Sequence, residues 1–369
     1  MLEAHWRSPG YCVPSATTYP WQWLWDSCFH AVCWAHLGEG ARGLTELRHA
    51  LAHQEPSGFV PHMTYWHRRE AHAEFWGRTG TSILTQPPMY GHALAELRRL
   101  GTAVPDELVA KATLGLRHLL TTRMRDGAGP VIVHPWESGC DDSARWDAWC
   151  QEPWSSERWR LVKHDLVKAV EDGANPRFEV APAGFVALVA FNARELASIT
   201  GDTDLRDAAQ AVSDRLAARW NAQLRTWVDH VVVGPAFTAA VRTLDALLPV
   251  LVVDDEVATA AAFADALDDR AFGGAYGPAA VHRGEPTFDA GAYWRGPAWP
   301  QLTYLFWVAA CRRGEHTTAR EFANRLIAGA NQSGLAEYWH PDTGEGLGAT
   351  LQSWTALAAV VCQVDAKPP

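Results

Sequence analysis

A chain of 369 residues with 48% apolar and 20% charged residues has the balance of an ordinary soluble globular protein and ample material for a core. Its formal net charge of -10, without any basic run, argues against nucleic acid or an anionic membrane surface as a partner. The N-terminus shows no basic segment leading into an apolar one, and no apolar run reaches ~18 residues without a charge, so neither a secretion signal nor a transmembrane helix is expected and the reading is cytoplasmic.

Seven cysteines, an odd number with no C-x-x-C pair, read as reduced thiols that mostly behave as small buried hydrophobes. No H-E-x-x-H motif or Cys/His cluster with ligand spacing appears, so no metal and no cofactor is expected. The 19 tryptophans are the unusual feature. A large helical core absorbs such residues, and sugar pockets also use them, because a pyranose face stacks on an indole.

Residues 1–20 are broken by Pro9, Gly10, Pro14 and Pro20 and read as irregular. The spacing predicts helices over 21–37, closed by Gly38 and Gly40, and over 41–53. Residues 54–89 form a long connection rich in aromatics and proline, more typical of a functional loop than of a linker. Further helices are expected at 90–101, 106–122, 157–171, 181–199 and 203–221, the last opening on Asp202 as its cap. A small hairpin is expected within 225–237, then alanine-rich segments at 238–250 and 254–268, and helices at 297–313, 317–330 and 351–364. The alanine-rich segments leave open packing within the chain or against a second copy in a homo-oligomer.

About a dozen helices thus alternate between short turns and long aromatic loops. The long loops, at 54–89, 123–156, 222–237, 271–296 and 331–350, fall on every second connection, so pairs of helices running out and back bring them all to one end. A closed ring of six pairs, an all-α (α/α)6 barrel in one domain over 1–369, satisfies this pattern.

The chemistry concentrates in His134-Pro-Trp-Glu-Ser-Gly-Cys-Asp-Asp-Ser-Ala-Arg-Trp146 and Ala336-Glu-Tyr-Trp-His-Pro-Asp-Thr-Gly-Glu345. In the first, Glu137, Asp141 and Asp142 crowd together with Arg145 close behind, so at least one carboxyl is raised while Arg145 holds another ionised. In the second, Glu337 sits among aromatics and suits a general base, whereas Glu345 lies in a turn and suits a structural role. Two carboxyls facing each other across a ring-shaped substrate are the minimum equipment for cleaving a glycosidic bond.

Together, WQWLWDSCFHA (21–31), HPWESGCDDSARW (134–146), YWRGPAWPQ (293–301) and EYWHPDTGEGLGATLQSWTA (337–356) resemble glycoside hydrolase family 63, closest to its bacterial glucosylglycerate and mannosylglycerate hydrolases. The resemblance implies an (α/α)6 barrel and an inverting mechanism, with Asp141 as general acid and Glu337 as general base. It further implies that Tyr19, Trp25 and Asp26 hold the sugar, that Arg177 holds the glycerate carboxylate, and that Gln86, Trp136, Tyr293, Trp294 and Trp299 complete the subsites. Loop 54–89, carrying His62, Tyr65 and Gln86, is expected to close over a small-molecule glycoside as a lid. Two other enzyme readings stay open: an α-glucosidase acting on oligosaccharides, and a sugar epimerase using His30, His62 and His340 as proton shuttles. A non-catalytic sugar-binding barrel is disfavoured, because both carboxylate positions are intact.

Overall fold

The computed structural model describes residues 1–150, 154–235 and 240–364. Its helices of eight residues or more, in chain order, are α1 (Leu24–His36), α2 (Gly40–Ala50), α3 (Tyr90–Arg99), α4 (Asp106–Thr121), α5 (Ser156–Lys168) and α6 (Ala183–Thr200). They continue with α7 (Thr203–Ala217), α8 (Glu256–Leu267), α9 (Pro300–Arg312), α10 (His316–Gln332) and α11 (Leu357–Val364). Local chemistry sets several of the ends. The Asp202 carboxylate accepts the Leu205 amide at 2.9 Å to open α7, as its position predicts, and Asp255 does the same for Ala258 at 3.0 Å in α8.

Apolar distribution sorts the helices into two layers. In α1 every residue from Leu24 to Ala35 is buried, and in α9 every residue from Pro300 to Ala310 is. Such helices are buried all round and must be enclosed by others. By contrast α2, α4, α7 and α10 bury only a stripe. The contacts run in a closed order: α1 packs on α3, α3 on α6, α6 on a 3-10 segment (Asp245–Leu251), that segment on α9, α9 on α11, and α11 back on α1. A buried network ties three of them together, with His92 reaching Tyr304 Oη at 2.8 Å and Glu195 at 3.2 Å. By length and composition α6 is apolar enough to cross a bilayer, yet 78% of it is buried inside this assembly.

Two local expectations need correction. The stretch 225–237 is not one hairpin: Thr226–Trp227 pairs with Trp220–Asn221, while His230–Val233 crosses to Glu179–Ala181. The β-branched residues there pair with a distant segment, a partner that local alternation cannot reveal. The alanine-rich segment 238–250, read as helical, forms instead a 3-10 turn over Asp245–Leu251 that contains Pro249; residues 238 and 239 lie outside the described ones. Proline removes a helix donor and crowds the preceding turn, so a regular α-helix does not persist there.

Candidate active site

The loop between α4 and α5 carries the first carboxyl. Its 3-10 turn, Pro135–Ser138, places Glu137 fully buried beneath the loop. There Arg123 grips it bidentately at 2.9 and 3.0 Å, and the amides of Val133 and Thr85 donate to it at 2.8 and 3.1 Å. Four donors on a buried carboxylate make it an anchor that fixes the 134–142 loop against the strand of chain leading to Gln86. Gly139 then turns the chain with φ +75°, and a Cβ added there would fall 2.1 Å from Trp25 Cζ3. Only glycine lets this backbone approach the indole so closely.

Beyond that glycine, indole N–H groups hold the backbone on either side of the carboxyl: Trp146 donates to the Cys140 carbonyl at 2.9 Å and Trp159 to the Asp141 carbonyl at 3.0 Å. Burial pushes the Asp141 carboxyl up to about 7; Lys163 opposes this, while Asp142 and Glu337 add to it. Asp142 itself is ion-paired with Lys163. Arg145 is not the partner of either carboxylate, contrary to its sequence proximity. It is buried between Asp229 and Asp245.

The second carboxyl sits in a short ladder in which Tyr338 pairs with Leu347 and Trp339 with Gly346. Glu337 Oε2 accepts the Ala349 amide at 2.9 Å, Oε1 accepts the Tyr19 hydroxyl at 3.0 Å, and the backbone carbonyl accepts Trp354 Nε1 at 3.0 Å. Burial raises this carboxyl, while the Ala349 and Tyr19 donors restrain the rise. Glu345 lies exposed in the following turn, where its backbone carbonyl accepts the His340 amide.

Asp141 and Glu337, far apart in sequence, line one cavity together with Tyr19, Trp25, Asp26, Gln86, Tyr293 and Trp294. Asp26 is buried, and burial followed by the charge of Glu337 holds its carboxyl well above the usual range. The indole N–H groups of Trp23, Trp25 and Trp294, and Gln352 Oε1, are buried without a hydrogen-bond partner among the described residues. Buried polar groups are ordinarily paired, and the residues that carry these four atoms all line this cavity. Trp294 is held at φ 59°, a conformation costly for a bulky residue, by stacking on Trp299 at 3.8 Å and 6°.

A second lobe of ≈ 380 Å³ opens past Asp141, Gln86 and Trp23 and includes Tyr65 and Trp136. Two of the expected subsite residues stand apart from both lobes. Trp299 is fully buried behind Trp294 and Tyr338, backing the cavity wall. Arg177 is exposed in a surface depression shared with Trp149, Arg158 and Asp165. Sequence reasoning missed Trp23, Phe75, Trp76, His72, His164, Gln352 and Trp354, which line the two lobes. Trp23, Gln352 and Trp354 fall within the motifs at 21–31 and 337–356, and His72, Phe75 and Trp76 within the aromatic loop 54–89; His164, on a helix, carries no local signal. The three histidines of the epimerase reading are not brought together: His30 is buried against Glu46 and Ser353, His62 lines the second lobe, and His340 sits in the turn before Glu345.

Two buried groups bring metal-ligating atoms within 4.8 Å of one another, Cys12/His30/Glu46 and His92/Glu96/Glu195. Their atoms are already engaged. Glu46 accepts from the Cys12 amide and Ser27, and Glu96 and Glu195 pair with Arg99, Arg312 and histidines. Neither group lies in the carboxylate cavity.

Residues 19–355 match the family described as the mannosylglycerate hydrolase MGH1-like glycoside hydrolase domain. The chain is 26% identical to a mannosylglycerate hydrolase of Thermus thermophilus, over 95% of this chain and 96% of that one. It is 28% identical to a glucosylglycerate hydrolase of Mycolicibacterium hassiacum, over 93% and 91% respectively. A solved structure of a GH63 mannosylglycerate hydrolase from Thermus thermophilus in complex with Tris and D-glycerate matches with a TM-score of 0.84 at 23% identity, covering 98% of both chains. The complex of that enzyme with glucose matches at 0.82 and 26% identity, again over 98% of each. With the family spanning nearly the whole chain and a carboxyl pair facing one cavity, this protein belongs to the MGH1-like glycoside hydrolases and is a glycosidase.

Proposed function

We propose that the protein is an inverting hydrolase of a small α-glucoside or α-mannoside, glucosylglycerate or mannosylglycerate before others, releasing free sugar and glycerate. The observation that carries this reading is the meeting of Asp141 and Glu337 in one cavity under different environments. A carboxyl pushed to about 7 keeps its proton near neutrality and suits a general acid. A carboxylate held by a hydroxyl and an amide suits a general base. Asp141 donates its proton to the glycosidic oxygen as that bond breaks, and Glu337 takes a proton from the water that attacks the opposite face of the anomeric carbon.

The sugar occupies the lobe of Trp25, Asp26, Tyr293 and Trp294, where the unpaired indoles and carboxyl meet its hydroxyls, and Tyr19 orients Glu337. The aglycone extends past Gln86 toward Tyr65 and Trp136, with loop 54–89 as its cover. The names of the relatives and the D-glycerate complex of one of them support glycerate as an aglycone. The exposed position of Arg177 gives no support to its holding the glycerate carboxylate. Six elements touching in a closed order support an (α/α)6 barrel, in a single domain that we place in the cytoplasm. Proton NMR of the first product tests the mechanism: an inverting enzyme releases the β-anomer from an α-glycoside, and initial appearance of the α-anomer would remove this assignment.

A further inference from the structure

Helix α5 meets the loop of the general acid through one face, on which Trp159 and Lys163 stand a turn apart. The Trp159 indole donates to the Asp141 carbonyl at 3.0 Å, and the Lys163 carbonyl accepts His134 Nε2 at 2.9 Å. The Lys163 side chain is buried, its ammonium 5.8 Å from the rings of both Trp136 and Trp159 and ion-paired with Asp142. The arginines of this neighbourhood are bound elsewhere: Arg123 by Glu137, Arg145 by Asp229 and Asp245, and Arg295 by Asp147. Among the described residues, Lys163 is the cation whose charge reaches the Asp141 carboxyl.

Other titratable groups face that carboxyl from several elements. Tyr19, Asp26, Tyr293 and Glu337 share its cavity, and His62, His72 and His164 share the second lobe. Burial raises both tyrosines and Asp26, so all three keep their protons near neutrality. Burial also pushes His62 down to about 3 and lowers His164, while His72 is exposed, where solvent screens it. The charges bearing on Asp141 are therefore those of Lys163, Asp142 and Glu337.

A general acid must hold its proton until the substrate is bound and then lose it as the bond breaks. A cation fixed beside the carboxyl would favour the second step while weakening the first, and the lack of any cation would do the reverse. Lysine carries a compact charge on a flexible stem, and here a neighbouring carboxylate competes for it. We propose that Lys163 and Asp142 form a charge pair that governs the proton of the general acid. Asp142 draws the ammonium aside while Asp141 is protonated and yields it toward Asp141 as the proton passes to the glycosidic oxygen. No proton leaves Lys163; its charge alone acts, more strongly in the transition state than in the ground state. Both are positioning residues, and the inference rests on the assignment of Asp141 as the acid.

The alkaline limb of kcat/KM, followed on glucosylglycerate and mannosylglycerate, reads the ionisation of the acid in the free enzyme. Asp142→Asn removes a negative charge and frees the ammonium, so the limb should move to lower pH by at least about one unit. Lys163→Met, whose thioether fits between the two indoles, removes the positive charge and should move the limb to higher pH by about as much. Lys163→Arg keeps the charge and should hold the limb near its native place, and the variant carrying both neutral substitutions should bring it back there. Should Lys163→Met fail to fold, Asp142→Asn and the double variant carry the same test. A merely structural pair would lower kcat/KM alike at every pH. A limb that stands still in Asp142→Asn, or moves the same way in both single variants, overturns the inference and leaves the glycosidase assignment standing. Retained turnover in Asp141→Asn removes the acid and the inference with it.

Discussion

Two carboxyls with similar neighbours in sequence acquire different states through single contacts. Asp141 has Lys163 nearby, but that ammonium is shared with Asp142, and desolvation prevails. Glu337 keeps two donors of its own. Asp141→Asn and Glu337→Gln are each expected to lower kcat by about 10²–10⁴-fold with the circular dichroism spectrum unchanged. With Asp141 as the proposed acid, which must carry its proton, kcat/KM should fall on the alkaline side as pH rises through about 7. Stability gives an independent check. The folded carboxyl titrates above the ordinary aspartate value of 3.8, so its contribution is fully present below that value and is lost as pH rises toward 7. Asp141→Asn does not titrate, and its melting temperature should therefore gain on the native protein between pH 4 and 7 and level off above. A constant gap in calorimetry would mean that the carboxyl is not raised. Both segments were legible in the sequence, because each sets carboxylates among tryptophans, but only the resemblance singled out Asp141 from Glu137 and Asp142. Arg177 was legible only by resemblance, and the fold turns it to solvent.

At the scale of the element, the 134–146 loop shows what residue types alone conceal. Glu137 and Asp141 look equivalent as carboxylates beside Trp136, yet one is an anchor and the other faces the cavity. The difference lies in Arg123, at the end of the preceding helix, and in the amide of Thr85, which no local pattern connects to the loop. Glu137→Gln leaves a fully buried guanidinium facing a neutral amide and is expected to destabilise by about 3–5 kcal/mol. Activity should fall as well, because the same carboxylate fixes the chain on both sides of the cavity. Pairing it with Arg123→Met should recover much of the stability, since replacing both charges removes the stranded ion. Urea unfolding of the two variants decides the matter. If the double variant is no more stable than the single one, the pair is not a mutual anchor. The segment 220–233 defeats local reading for the same reason: its partner at 179–181 is remote, and period-two alternation reports a strand without naming its neighbour.

For the whole molecule, the informative signal was the rhythm of loops rather than any repeat of sequence. Long aromatic connections on every second link forecast where the site would form, and the two carboxyl segments do meet in one cavity. What the rhythm could not convey is how the two ends of the chain are joined. That junction falls to Ser353, at the start of the turn leading into α11. Its hydroxyl meets His30 Nε2 at 2.6 Å on α1 and the Val13 and Pro14 carbonyls, and its amide donates to the Pro14 carbonyl at 2.9 Å. The last helix thereby packs on α1, and Gln352 and Trp354, the immediate neighbours of Ser353, both line the carboxylate cavity. Ser353→Ala leaves a buried imidazole nitrogen without its partner and is expected to cost about 1–3 kcal/mol. Ending the chain after Leu351 is far more severe, for it removes the indole that holds the Glu337 carbonyl and exposes the apolar flank of α1 and α9. Such a chain should lose both its cooperative thermal transition and its activity. A truncated protein that still melted sharply at the native temperature would show that the order of contacts is closed by geometry alone and that the last element adds nothing to the stability of the rest.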